Sequence, residues 1–272
     1  MADIGRTQRD RAAAASSLRV AAMASGLLGV LVMASALAGL VAPGFYRLVH
    51  PILLAGSYGQ DWMSLAALPA LAWAVRVARR GSLRGVVVWL GLLAYYLYAY
   101  SLYAFGPQLT ALYPLYVAIV SLSSIALVAI GFSLEISAFD GRFHGTLPTR
   151  QIIALFGAIV IVLAPVWVAM MITAIWEGKP SLFTTVHVLD LAFVFPTLIV
   201  AAVGLLRHRS WSYVLAGPLL VLAATMMGSL VISEIIAAAR FTPDPLPLSL
   251  VFVIIAMTAS FLTRTYLREL GG

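Results

Sequence analysis

The chain reads as an all-α integral membrane protein with eight transmembrane helices, arranged as two parallel four-helix repeats. Three observations predict this. Of its 272 residues, 62% are hydrophobic and only 10% charged, with a mean hydropathy of +1.02, whereas soluble domains carry about 25% charged residues. Eight apolar stretches can be read along it, each close to the roughly 20 residues needed to cross a bilayer. Anchors also recur at a constant offset: Asp61 and Asp190, Arg80 and Arg209, and Pro114 and Pro243 each stand 129 residues apart.

The first stretch, 20–42, follows a basic N-terminus and contains Ala22, Ser25, Gly26 and Gly29, small residues of the kind that let spanning helices approach closely. Its apolar run exceeds the roughly 7–15 residues of a signal-peptide core, so a retained helix is expected. The second, 59–78, opens on Gly59, Gln60 and Asp61 and contains Pro69. The third, 85–106, carries Tyr95, Tyr96, Tyr98, Tyr100 and Tyr103, and the fourth covers 110–134. A loop containing Glu135, Asp140, Arg142, His144 and the turn formers Gly141, Gly145 and Pro148 then reads as a solvated linker, dividing repeat 1–140 from repeat 141–272.

In the second half, 151–176 contains Pro165, and 184–206 contains His187, Asp190 and Pro196. The stretch 211–237 contains Pro218 and Glu234, and 246–266 closes the set. Each proline inside a span frees a carbonyl that a neighbour must satisfy. Four spans per half place both halves in the membrane in the same direction, as in parallel-repeat transporters.

The positive charges assign orientation. With the N-terminus inside, 14 arginines fall on the cytoplasmic side and only Arg47, Lys179 and Arg240 on the other, as the positive-inside bias expects. Both termini are therefore predicted in the cytoplasm. The net charge of +7 is a topology signal. Dispersed over short membrane-flanking segments, it forms no basic face for nucleic acid. The expected partners are the lipid bilayer and a small solute or ion.

Several chemistries are excluded. Without cysteine there is no thiolate catalysis, Fe–S cluster or Cys-ligated zinc. The only lysine, Lys179, lies in a loop, so no retinal Schiff base is expected. His50, His144 and His208 are loop or interface residues, which leaves His187 without the second histidine that paired haem ligation needs. Glu177 and Asp244 read as loop residues.

What remains is a set of ionisable groups toward the outer ends of the spans: Asp61, His187, Asp190 and Glu234. Ionisable side chains inside spans are costly and need partners, pairing or water. His187 and Asp190, three apart, share a helix face. The carboxylate could orient the imidazole, or His187, Asp190 and Asp61 could ligate a divalent metal. Across a pseudo-axis Asp61 and Asp190 would approach each other. Gln60 adjoins the set. An aromatic belt at the membrane interface accounts for most of the third-span tyrosines. Tyr95 and Tyr96 lie deeper than a belt needs, and their hydroxyls, like that of Tyr100, need partners inside the bundle, where they could line such a pocket. Plainer readings stand beside these. Asp61 could cap the second helix, His187 and Asp190 could join helices, and Glu234 could pair with Arg240.

The stretch 78–85 (ARRGSLRG), the stretch 187–191 (HVLDL) and the tyrosine-rich third span resemble a group of polytopic bacterial membrane proteins with no assigned activity. The resemblance implies a bacterial cytoplasmic membrane and carries over no functional residue.

The leading functional expectation is a transporter or permease for a small solute or cation, with a polar site near the extracytoplasmic face. One alternative is a membrane-embedded, metal-assisted hydrolase or transferase acting on a lipid-linked or exported substrate. Another is a structural or assembly subunit.

Overall fold

Helices account for nearly all of the described chain, and they run back and forth in sequence order. The computed structural model describes residues 2–134, 136–139, 142, 147–241 and 249–270. Helix α1 (Ala2–Val41) is followed by α2 (Pro51–Ala78), α3 (Leu83–Phe105) and α4 (Tyr113–Ser133). A short 3-10 turn (Ile136–Phe139) leads to α5 (Thr149–Glu177). The next rod is composite: α6 (Thr184–Leu189), a π segment (Asp190–Val194) and α7 (Phe195–Leu206). Helices α8 (Ser210–Arg240) and α9 (Ser249–Glu269) complete the described chain. The linker residues Glu135, Asp140, Gly141, His144 and Gly145, with Pro243 and Asp244, lie outside the described residues.

Among the described residues, seven helices are long and apolar enough to cross a membrane: those at Ala13–Val41, Leu83–Phe105, Tyr113–Ser133, Thr149–Glu177, Thr184–Leu206, Ser210–Arg240 and Ser249–Glu269. The outward side chains agree. Phe132 is 82% exposed and Met23 76%, and apolar surface on that scale is stable against lipid rather than water. The chain is a multi-pass membrane protein.

Helix α2 is the exception to the expected eight apolar spans. It has the length, at 28 residues, but Gln60, Asp61 and Arg76 lower its hydropathy. Its start also differs from the sequence expectation. The helix begins at Pro51, with the His50 side chain accepting from Ile52 N at 3.4 Å as N-cap. A proline in the first turn suits a helix start, where its missing N–H is not needed. Asp61 therefore lies well inside the helix and does not cap it.

The apolar side chains form two cores. One gathers Leu28, Val32, Trp89, Leu93, Ile119 and Ile130 inside the ring α1–α2–α3–α4. The other gathers Phe156, Leu163, Leu205, Leu220 and Tyr266 among α5, α7, α8 and α9. Helices α3 and α8 join them. At Gly91 an added Cβ would stand 2.4 Å from Val221 Cβ and 2.8 Å from the Pro218 carbonyl oxygen. At Gly59 it would stand 2.1 Å from Ser233 Oγ, so α2 also seats on α8. Glycine is needed at both points because the backbones leave no room for a side chain. Helix α3 is the most enclosed, with 67% of its spanning window buried, against 28% for α5 and α9.

Prolines 69, 165 and 218 lie inside continuing helices. Pro196 instead starts α7 directly after the π segment. Arg84 ties the start of α3 to the end of α9, donating to the carbonyls of Leu270 at 2.7 Å and Arg268 at 3.3 Å.

Candidate functional site

Helix α3 brings its tyrosines against two different neighbours. Tyr95, Tyr96 and Tyr103 turn toward α2. Tyr96 donates to the Ser64 carbonyl at 2.9 Å and Tyr103 to the Ser57 carbonyl at 3.1 Å. Tyr95 meets Ser64 Oγ at 3.2 Å and the Gln60 carbonyl at 3.4 Å. Gln60 answers by donating its amide to the Ala99 carbonyl. Each carbonyl has a second lone pair to offer even while it serves its own helix. The tyrosines thus brace α2 along its length.

Asp61 is 1% exposed and faces α1. Tyr46, in the loop before α2, donates its hydroxyl to Asp61 Oδ2 at 2.5 Å. Burial first, then the neighbouring Asp61 charge, pushes the Tyr46 hydroxyl far above the usual tyrosine range, so it stays a donor. The carboxylate reaches α1 because residue 39 is glycine. A Cβ there would fall 2.1 Å from Asp61 Oδ2 and 2.6 Å from the Tyr46 hydroxyl oxygen.

Tyr98 points the other way, to the π segment. It donates to Asp190 Oδ1 at 2.7 Å, and Trp167 Nε1 on α5 donates to Asp190 Oδ2 at 2.7 Å. Asp190 is thus held by a hydroxyl and an indole from two other helices, at the first residue of a π turn. Such turns widen a helix locally and often mark functional positions.

His187 is fully buried, yet neither ring nitrogen has a hydrogen-bond partner among the described residues. Its ring lies 5.5 Å from that of Trp167, tilted by 40°. The expected bond between His187 and Asp190 is not made: Asp190 accepts from Tyr98 and Trp167 instead. Glu234 accepts from Ser249 Oγ at 2.6 Å. Arg240 instead lies over the Tyr58 ring, 5.7 Å from its centre, so the expected Glu234–Arg240 pair is replaced by these two contacts. Tyr100 is fully buried and its hydroxyl has no hydrogen-bond partner among the described residues.

The candidate residues therefore form separate local arrangements. Asp61 and Asp190 share no hydrogen-bond partner, and Glu234 belongs to a third contact between α8 and α9. Among the described residues no group of three or more His, Asp or Glu side chains converges as metal ligands. The triad of His187, Asp190 and Asp61 expected for a divalent metal is not assembled, since Asp61 turns to α1 while Asp190 turns to α3 and α5.

Sequence reasoning missed Tyr46, Gly39, Trp167 and the role of Tyr98. Trp167 carried a signal: a tryptophan well inside a 29-residue helix is too deep for an interfacial belt, and a buried indole N–H seeks an acceptor.

No protein family matches the chain, nor does any curated protein or solved structure.

Proposed function

We propose that the protein is a transporter or permease for a small cation or solute, working in a bacterial cytoplasmic membrane with both termini inside. In this reading α2 is an eighth crossing. Its polar residues Ser57, Gln60, Asp61 and Ser64 are all buried within the protein, so the lipid does not meet them, and the exposed Arg76 lies in the last turn of the helix. The two halves, 1–140 and 141–272, are parallel repeats. The 129-residue offset of their anchors supports this, as does the ring of helices in each half around its own core. The extracytoplasmic side is the one to which α1 and α8 deliver Val41 and Arg240, away from most arginines.

One observation carries the functional reading. Asp61 and Asp190 are buried carboxylates whose partners are hydroxyls and an indole, with no lysine, arginine or histidine among them. A carboxylate ionised in such surroundings is costly, and neutral donors offset only part of that cost. It is relieved by a proton or a bound cation. Groups that must repeatedly gain and lose positive charge are what proton- and cation-coupled transport requires.

The test is flux in liposomes holding the purified chain, read with a pH-sensitive or cation-sensitive dye under an imposed gradient. Wild type should move protons or cations, and Asp61→Asn and Asp190→Asn should each reduce the rate at least about tenfold, as expected for removal of an obligatory charge carrier. Flux at the wild-type rate in both variants, or none in the wild type for any monovalent ion, would overturn the reading.

A further inference from the structure

The interior of the α1–α4 ring contains more oxygen than its hydrogen bonds use. On α2, Asp61 presents one carboxylate oxygen to Tyr46, and its other oxygen has no donor among the described residues. Ser64 lies three residues further along α2, one turn deeper. On α1, Gly39 touches the carboxylate and Ser35, four residues before it, shares that face and is 2% exposed. On α3, Tyr100 stands four residues after Tyr96 and three before Tyr103, on the face that meets α2. It is fully buried and its hydroxyl makes no hydrogen bond among the described residues. On α4 the Ser123 hydroxyl, also fully buried, likewise has no partner among the described residues.

Unpaired buried hydroxyls are uncommon, since each forgoes its hydration without return. Two in one bundle, one of them on the α3 face that meets α2 and with the Asp61 carboxylate lacking a counter-charge, point to a missing ligand with positive charge and an affinity for oxygen. The charge count selects its valence. The surroundings carry one negative charge and otherwise neutral hydroxyls. A divalent ion would leave a net positive charge in a low-dielectric interior. A proton would neutralise Asp61 and add one O–H donor, enough for a single neighbouring hydroxyl, whereas a cation is held by several oxygens at once. A monovalent hard cation satisfies both, as oxygen donors suit such ions.

We infer that Asp61 is the charged ligand of a binding site for a small monovalent cation, with the hydroxyls of Ser35, Ser64 and Tyr100 as its neutral ligands. The inference rests on the reading of Asp61 as a carrier of exchangeable charge and names the class of ion it takes.

The purified full chain in detergent is heated while intrinsic tryptophan fluorescence is followed, with sodium chloride titrated against choline chloride at constant ionic strength and pH. Sodium should raise the unfolding temperature saturably, as a ligand of the native state must. Gly26→Ala, which meets nothing within 4 Å, should keep the shift and Asp61→Asn should lose it. Tyr100→Phe, which keeps the ring, should raise the half-saturating sodium concentration at least about fivefold, the loss of one ligand contact. It also decides the matter if Asp61→Asn does not fold. An equal effect of choline, a shift that survives Asp61→Asn, or an unchanged half-saturation in Tyr100→Phe would overturn the site. If sodium gives no shift while liposome flux still depends on Asp61 and Asp190, this site fails and the transport reading stands. If that flux is absent as well, both fail.

Discussion

Removing the Tyr98 hydroxyl measures how strongly Asp190 is held and in which charge state. Tyr98→Phe leaves the ring in place, so no cavity forms, and one interaction is lost: the 2.7 Å hydrogen bond to Asp190 Oδ1. Hydrogen bonds between membrane helices contribute about 0.6 kcal/mol on average and about 1.7 kcal/mol at most. A bond to an ionised group contributes about 1.5–3 kcal/mol. The two ranges separate the states of the carboxyl group. A loss of about 2 kcal/mol marks an ionised Asp190, and a loss near 0.6 kcal/mol marks a protonated one. Packing changes are removed by a double-mutant cycle with Asp190→Leu, in which Tyr98→Phe should cost almost nothing. The unfolding free energies are read from reversible SDS titration in mixed micelles, followed by far-ultraviolet circular dichroism. Trp167 donates to the other oxygen at 2.7 Å, so its indole fluorescence gives an independent local signal. A coupling energy within about 0.3 kcal/mol of zero, below the additivity error for independent sites, would refute the arrangement around Asp190.

Two further outcomes follow from the same geometry. Gly39→Ala places a methyl group 2.1 Å from Asp61 Oδ2 and should cost about 1–3 kcal/mol, the usual overpacking range. The loss should shrink in an Asp61→Ala background, while Gly26→Ala, which meets nothing within 4 Å, should gain up to about 1 kcal/mol from helix propensity. Thermal unfolding of the set checks this, and equal effects at the two glycines would defeat it. His187→Leu replaces a fully buried ring whose nitrogens have no partner, so stability should hold or rise, since burying apolar atoms there carries no desolvation cost. A loss above about 2 kcal/mol in the same measurement, on the scale of leaving a buried group unpaired, would show that the imidazole has a partner.

Much of the fold was legible because lipid imposes a simple rule: apolar runs of spanning length become helices. The starts of α5 and α6 and the ends of α2 and α7 fall within about two residues of the sequence reading, the usual uncertainty of helix ends. Helix α2 shows where that rule weakens. Residues 51–58 carry Gly56, Ser57 and a proline, which resemble a loop, yet Pro51 and the His50 cap start the helix there. That error made Asp61 look like a cap. The composite rod is a second case. A π turn at Asp190–Val194 leaves no trace in an apolar run that is hydrophobic all round.

The candidate residues were legible one by one, because an acid or a histidine in an apolar span stands out. Their partners were not. Tyr46 comes from a loop, Trp167 from α5 and Ser249 from α9, and nothing in the spacing of a chain says which neighbours will meet. The tyrosines of α3 point to two different helices because Tyr98 falls on another face from Tyr95, Tyr96 and Tyr103, a division that follows from the helical turn.

The contact at Gly91 limits how the two halves of the molecule can move. With Val221 and the Pro218 carbonyl pressed against bare backbone, α3 cannot travel lengthwise along α8 without larger side chains on the same face, Val87 among them, lifting the helices apart. Tilting about that point needs no such separation. Any alternation between inward and outward openings would therefore be a rocking motion pivoting near mid-membrane.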